Sequence, residues 1–141
     1  MDAPHRCFRE VKSILSIVAF LSLAALASAA SPQIVDISQS DLDAAIAAKS
    51  ATILDVNGSE SYGEGHIPGA IDFLARRQEI AKLLPADKGA LIVAYCGDIH
   101  CTAYRQAAYA ALDLGYTNVR HFAPGIKGWR ESGERTEKSA N

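Results

Sequence analysis

The sequence predicts an α/β domain built on a mostly parallel sheet. Two observations carry this. Helix-like and strand-like runs alternate along the chain from Gln33 onward. The strongest strand candidates, "ATILDV" (51–56) and "ALIVAY" (90–95), are compact apolar runs, as expected of strands covered on both faces. At 141 residues the chain has room for one domain.

The elements follow in order. Residues 33–38, "QIVDIS", form a short alternating strand. Ser38 and Asp41 have capping-box spacing, and Leu42, Ala45 and Ile46 recur at helical spacing, which predicts a helix over about 39–49. The buried strand 51–56 comes next, then the turn-rich stretch 57–70, "NGSESYGEGHIPGA". Residues 73–85 read as one helix, with Leu74, Ile80, Leu83 and Leu84 apolar and Pro85 ending it. Strand 90–95 leads into "CGDIHC". A helix starting near Thr102, with Thr102 as candidate cap, runs until Gly115 stops it. "NVRHFA" is a last strand and "PGIKGWRESG" a turn with a short helix. The tail 134–141 is polar and expected to fray.

The first 29 residues read differently. Arg6, Arg9 and Lys12 precede an uncharged apolar run over 13–27, and small residues follow at Ala27 and Ala29. That is the pattern of a secretory signal, with cleavage expected after Ala29 or, alternatively, Ala30. The run is short for a membrane span, so an uncleaved anchor is the secondary reading. Cleavage removes Cys7 and leaves Cys96 and Cys101 in a periplasmic or secreted protein, outside the reducing cytosol. A bacterial envelope is the expected setting, and no membrane contact is expected after cleavage. A net charge of −2, with 21% charged residues, gives no reason to expect nucleic acid as a partner. With no apolar stripe apparent for dimerisation, the default is a monomer.

The chemistry concentrates in residues 95–102, "YCGDIHCT". Ligands of parallel sheets sit beyond the carboxyl ends of the strands, where Cys96 stands. Backbone N–H groups of a curled loop, with the positive end of the next helix, stabilise a thiolate or a bound anion. Gly97 permits close approach, Asp98 opposes a thiolate if its charge points inward, and His100 is either a proton donor, an orienting group or an exposed loop residue. Three readings stand side by side. One is a reactive sulfur on Cys96. Another is a Cys96–Cys101 disulfide, reversible rather than a staple, if the Cα atoms lie within about 7 Å. The third is a metal site, for which Cys96, His100 and Cys101 need His66 or His121 as a further ligand; no metal or organic cofactor is expected. The plainer alternative for either cysteine is a small buried apolar residue. Asn57, Glu64 and His66 are candidates for the mouth of the site. Arg105 reads as a solvated helix face, and Tyr95 and Trp129 as packing residues.

Three stretches, in order, resemble the single-domain rhodanese-like sulfurtransferases: "TILDVNGSESYGEGHIPGAIDF", "ALIVAYCGDIHC" and "LGYTNVRHFAPGIKGW". The resemblance covers 34–129 and implies a rhodanese-like three-layer α/β/α domain over 30–133. It implies that Cys96 is the catalytic nucleophile, taking the outer sulfur of a small-molecule donor such as thiosulfate and passing it to cyanide or a thiol. The loop residues Gly97, Asp98, Ile99, His100, Cys101 and Thr102 would cradle the persulfide, with Asp55 and His66 as structural neighbours. The related phosphatases and arsenate reductases use a longer loop closed by arginine, where this chain has Thr102. The chain departs from the family pattern at Asn57, at Asp98, at Pro124 and at Cys101, where arginine is frequent. Cys101 is then a candidate resolving or disulfide partner. A thiol–disulfide protein served by a redox partner, or a non-catalytic binding module, are the alternative functions.

Overall fold

The computed structural model describes residues 33–139. The segment expected to be a secretory signal, its expected cleavage site and Cys7 lie outside these residues. Five strands are present: β1 (Val35–Asp36), β2 (Ala51–Asp55), β3 (Ile71–Asp72), β4 (Leu91–Tyr95) and β5 (Val119–His121). They form one sheet in the order β1-β5-β4-β2-β3, and every pairing is parallel. The helices are α1 (Gln39–Ala47), α2 (Ser59–Glu64), α3 (Phe73–Arg76), α4 (Ile80–Leu83), α5 (Tyr104–Asp113) and α6 (Gly125–Glu131).

Alternation along the strands sorts the core into two layers. Leu54, Ile92, Ala94 and Cys96 face α3, α4 and α5, against Phe73, Ile80 and the alanines 107, 108 and 111. Ile53, Val93 and Tyr95 face the other way, against Leu42 of α1 and Ile126 and Trp129 of α6. Helices therefore cover both faces, which is why β2 and β4 carry no polar alternation. This is the three-layer α/β/α architecture expected of the sequence, with the sheet parallel throughout.

Local chemistry explains most boundaries. The Ser38 hydroxyl accepts from the Asp41 N–H at 3.1 Å, so the expected cap of α1 forms. Gly115, with φ +91°, closes α5 as expected. Thr102 does not cap α5: the N-cap position is Ala103, with no side-chain hydrogen bond. The expected single helix over 73–85 is broken by a 3-10 turn at Arg77–Glu79. Leu74 to Glu79 are all exposed, so no core contact holds a straight helix there. The turn-rich stretch hides α2 and leads into the two-residue β3.

The tail is polar but does not fray before Glu137. Glu137 exchanges backbone hydrogen bonds with His66 at 2.8 and 2.9 Å, and the Trp129 indole N–H donates to the Arg135 carbonyl at 2.9 Å. These contacts satisfy a turn and an indole that would otherwise face the core unpaired.

Candidate active site

Cys96 directly follows β4, the strand between β2 and β5, and is 1% exposed. Its sulfur is bonded to Cys101, with the Cα atoms 6.2 Å apart. Of the readings open from the spacing, the disulfide is the arrangement the fold adopts. Cys101 is partly exposed. His100 and Ile99 project at the loop tip, Ile99 with 70% of its surface exposed. Among the described residues no group of three or more His, Cys, Asp or Glu side chains is placed to hold a metal ion.

The loop is shaped from two sides. Asp98 turns back on it: one carboxylate oxygen accepts the His100 N–H at 2.9 Å, and its carbonyl accepts the Cys101 N–H at 3.1 Å. The expected inward cradle over Gly97 to Cys101 is therefore only partly formed in the disulfide state. The N–H groups of His100 and Cys101 serve Asp98 instead. From the other side, the first turn of α6 holds the loop carbonyls. The Ile126 N–H donates to the Cys96 carbonyl at 2.9 Å and the Lys127 N–H to the Gly97 carbonyl at 3.0 Å. Gly125 makes this approach possible. With φ +63°, a Cβ there would stand 2.5 Å from the Cys96 oxygen and 2.7 Å from the Gly97 carbonyl. Pro124 fits the turn before α6, with φ −60°. Its ring lies where a side chain at Gly128 would project.

Beneath the loop, Asp55 at the end of β2 accepts from the Tyr95 hydroxyl and, at 2.7 and 2.8 Å, from the backbone and side-chain N–H groups of Asn57. Asn57 thus supplies hydrogen bonds to the aspartate where the resemblance leads one to expect an arginine. Burial pushes the Asp55 carboxyl above its ordinary value, and these three donors pull the other way. The Asn57 amide also stands beside Gly97, its oxygen 3.7 Å from where a Gly97 Cβ would be. The Tyr95 hydroxyl in turn accepts the Ile67 N–H at 3.1 Å, tying the "GHIPGA" turn to β4.

His66 is a structural residue. It is 4% exposed, stacks on Tyr62 at 3.7 Å, and its Nδ1 bonds the Tyr62 carbonyl at 2.8 Å. Glu64 is exposed at the end of α2, and Arg105 lies on the solvent face of α5, its guanidinium 6.0 Å from the Tyr104 ring centre. Trp129 packs edge-on against Phe122. The structure brings Cys96, Cys101, Asp98 and Asn57 together and leaves Glu64, His66 and Arg105 in other roles. Gly125 and the backbone of Ile126 and Lys127 escaped the sequence reading. Their signal was the "PGIKG" glycine, which follows a strand and opens a helix.

A second cluster lies one strand over. His121 on β5 pairs in register with Ala94, two residues before Cys96. Its Nδ1 bonds Asp36 at 2.9 Å, its ring stacks on Tyr104 at 3.4 Å, and its Nε2 is buried without a partner. Burial holds its pKa below the ordinary 6.5, against the pull of Asp36 and with help from the Arg105 charge. A base depressed by folding contributes stability that is present above 6.5 and lost as pH falls through the depressed value. Thermal melts across that window should show Tm falling toward acid. His121→Gln should flatten that part of the profile, and an unchanged slope in the variant would remove His121 as its source.

The sequence model of the rhodanese-like domain family matches residues 38–132. An HTH-type transcriptional regulator of Mycobacterium tuberculosis is 34% identical over 90 residues. The match covers 63% of this chain but only 38% of that relative's own length. Among solved structures, the rhodanese-like domain of an Anabaena protein superposes with a TM-score of 0.58 at 24% identity, covering 78% of this chain and 81% of its own. A human single-domain sulfurtransferase superposes with a TM-score of 0.57 at 24% identity, covering 72% and 97%. At that identity the structural matches speak for the fold.

Proposed function

Because the chain belongs to the rhodanese-like domain family, we propose that it is a sulfurtransferase that carries a sulfane sulfur as a persulfide on Cys96. The observation that carries this reading is the place of Cys96. It stands at the carboxyl end of β4, at the head of a loop whose carbonyls are held by α6. With the carbonyls of Cys96 and Gly97 engaged on that side, the loop N–H groups turn to an anion opposite once those of His100 and Cys101 leave Asp98. The family name supports the same chemistry.

The Cys96–Cys101 disulfide makes reduction the first step: a dithiol opens it by exchange and leaves as its own disulfide. The freed Cys96 thiolate then attacks the outer sulfur of a donor. With thiosulfate, the S–S bond of the donor breaks, sulfite leaves, and Cys96 keeps the terminal sulfur as a persulfide. Cyanide or a thiolate next attacks that terminal sulfur and restores the Cys96 thiolate. Asp98 supplies a negative charge near the entrance, which disfavours a dianionic donor and favours a less charged one such as an organic persulfide. The protein acts outside the cytosol, where the Cys96–Cys101 pair forms readily.

Reduced protein exposed to thiosulfate or to an organic persulfide should gain the mass of one sulfur atom and lose it to cyanide as thiocyanate. Absence of uptake from either donor would overturn the proposal. The disulfide favours one second reading, a thiol–disulfide redox protein. Rapid dithiol oxidation by the disulfide form, with no sulfur uptake by the reduced form, would put that reading first.

A further inference from the structure

We propose that Cys101 turns the Cys96 persulfide over to sulfide, so that the protein is also a dithiol-dependent reductase of sulfane sulfur. This rests on the persulfide reading above and adds a second fate for the loaded sulfur. Three observations carry it. The first is reach. The bond between Cys96 and Cys101 forms across 6.2 Å of Cα separation, with the loop carbonyls of Cys96 and Gly97 still held by α6. The two sulfurs therefore meet without dismantling the loop's anchor.

The second observation is pre-organisation. The two hydrogen bonds to Asp98 fold residues 98–101 into a tight turn that returns Cys101 toward Cys96. A thiolate so placed competes with any external acceptor as an intramolecular reactant, where effective concentrations far exceed those of free thiols. Asp98, which disfavours an anionic donor, here has a constructive role.

The third observation is unequal exposure. Cys96 is 1% exposed, whereas Cys101 is partly exposed. In the disulfide form an incoming thiolate therefore meets Cys101 before Cys96. A shallow groove of about 230 Å³ runs beside the loop tip, between Asp98, Ile99 and His100 on one side and Lys127 and Glu131 of α6 on the other.

The steps balance. The Cys101 thiolate attacks the inner sulfur of the persulfide, which is the Cys96 Sγ. The bond between the inner and outer sulfurs breaks, and the outer sulfur leaves as hydrosulfide. The sulfane sulfur gains two electrons, the two cysteines together lose them, and the Cys96–Cys101 disulfide results. A dithiol then regenerates the site. Its first thiolate attacks Cys101 and expels the Cys96 thiolate; its second thiolate resolves the mixed disulfide and leaves as an oxidised disulfide.

The test compares reduced wild type with Cys101→Ser and Cys101→Ala, each loaded with an organic persulfide, desalted, and followed without acceptor. Wild type should release one sulfide per chain and end two hydrogens lighter than its reduced form. Both variants should hold the extra sulfur at least about 10-fold longer. Equal lifetimes in wild type and variants, or migration of the extra sulfur onto Cys101, would overturn the inference. A parallel aliquot of wild type mixed with cyanide separates the two proposals. Thiocyanate there, without sulfide release in the first arm, leaves the transferase standing and removes the reductase; no sulfur loading at all removes both. In exchange with glutathione, the mixed disulfide should map to Cys101, and mapping to Cys96 would overturn the proposed direction of regeneration.

Discussion

Reduced Cys96→Ser protein takes up no sulfane sulfur, and its transfer to cyanide falls to background, a loss on the order of 10³-fold or more as for other removed covalent nucleophiles. A serine hydroxyl at this position has neither the acidity nor the polarisability to displace sulfite from thiosulfate or a thiolate from a persulfide. The loop remains, so the variant isolates nucleophilicity from binding. Stability also changes, for two separable reasons. Opening a disulfide that closes a short loop costs about 2 kcal/mol on a chain-entropy view. Placing a hydroxyl where Cys96 is 1% exposed adds about 1–2 kcal/mol unless it finds a partner. Cys101→Ser incurs the first cost without a comparable burial cost, because Cys101 is partly exposed. The difference in Tm between the two oxidised-state comparisons therefore reports the burial of Cys96. Persistent sulfur loading in Cys96→Ser, located by peptide mass, would transfer the nucleophile's role elsewhere.

Gly125→Ala is expected to damage fold and site together. Its φ of +63° already disfavours any side chain, and the new Cβ would meet backbone at 2.5 and 2.7 Å, not the yielding end of a side chain. Strain and displacement together amount to about 2–4 kcal/mol, or a fall in Tm of roughly 10–20 °C for a domain of this size. Relief requires α6 to move off the loop, which lengthens the bonds from Ile126 and Lys127 to the carbonyls of Cys96 and Gly97. Sulfur loading should therefore slow even at temperatures where the variant is folded. Gly63→Ala is the matched control. Nothing lies within 4 Å of its added Cβ, and it sits within α2, where alanine is favoured by about 0.5–1 kcal/mol. Equal Tm values for the two variants would show that the contact of Gly125 with the loop carries no stability.

The elements legible in the sequence were those with a long or chemically marked signature. Strands β2 and β4 announced themselves as apolar runs because both their faces are covered, and α1 did so through the Ser38 cap. The place of Cys96 followed from order alone, since a parallel sheet puts the strand's carboxyl end at the ligand side. β3 could not be read, because its two residues lie between the "GHIPGA" turn and the start of α3, with no alternating flank of the kind that marked β1. The break between α3 and α4 was equally hidden: a helical composition cannot reveal that Leu74 stays exposed and outside the core. The resemblance to the family carried the catalytic assignment, and the family match over residues 38–132 supports its frame.

Residue types along the chain thus determined which groups are available for chemistry here: one sulfur at a strand end, a second sulfur five residues on, and an acidic residue between them. What Asp98 does with its charge, which cysteine meets solvent, and which backbone groups hold the loop were decided by tertiary structure. Each depends on a partner distant in sequence or on a dihedral that no residue type specifies. Asp98 turns its carboxylate onto the His100 N–H because the loop is curled. The loop is curled where Gly125, brought in by the β5–α6 connection, lets α6 take its carbonyls. Cys96 is buried because α5 closes over β4, while Cys101 stands at the edge of that cover.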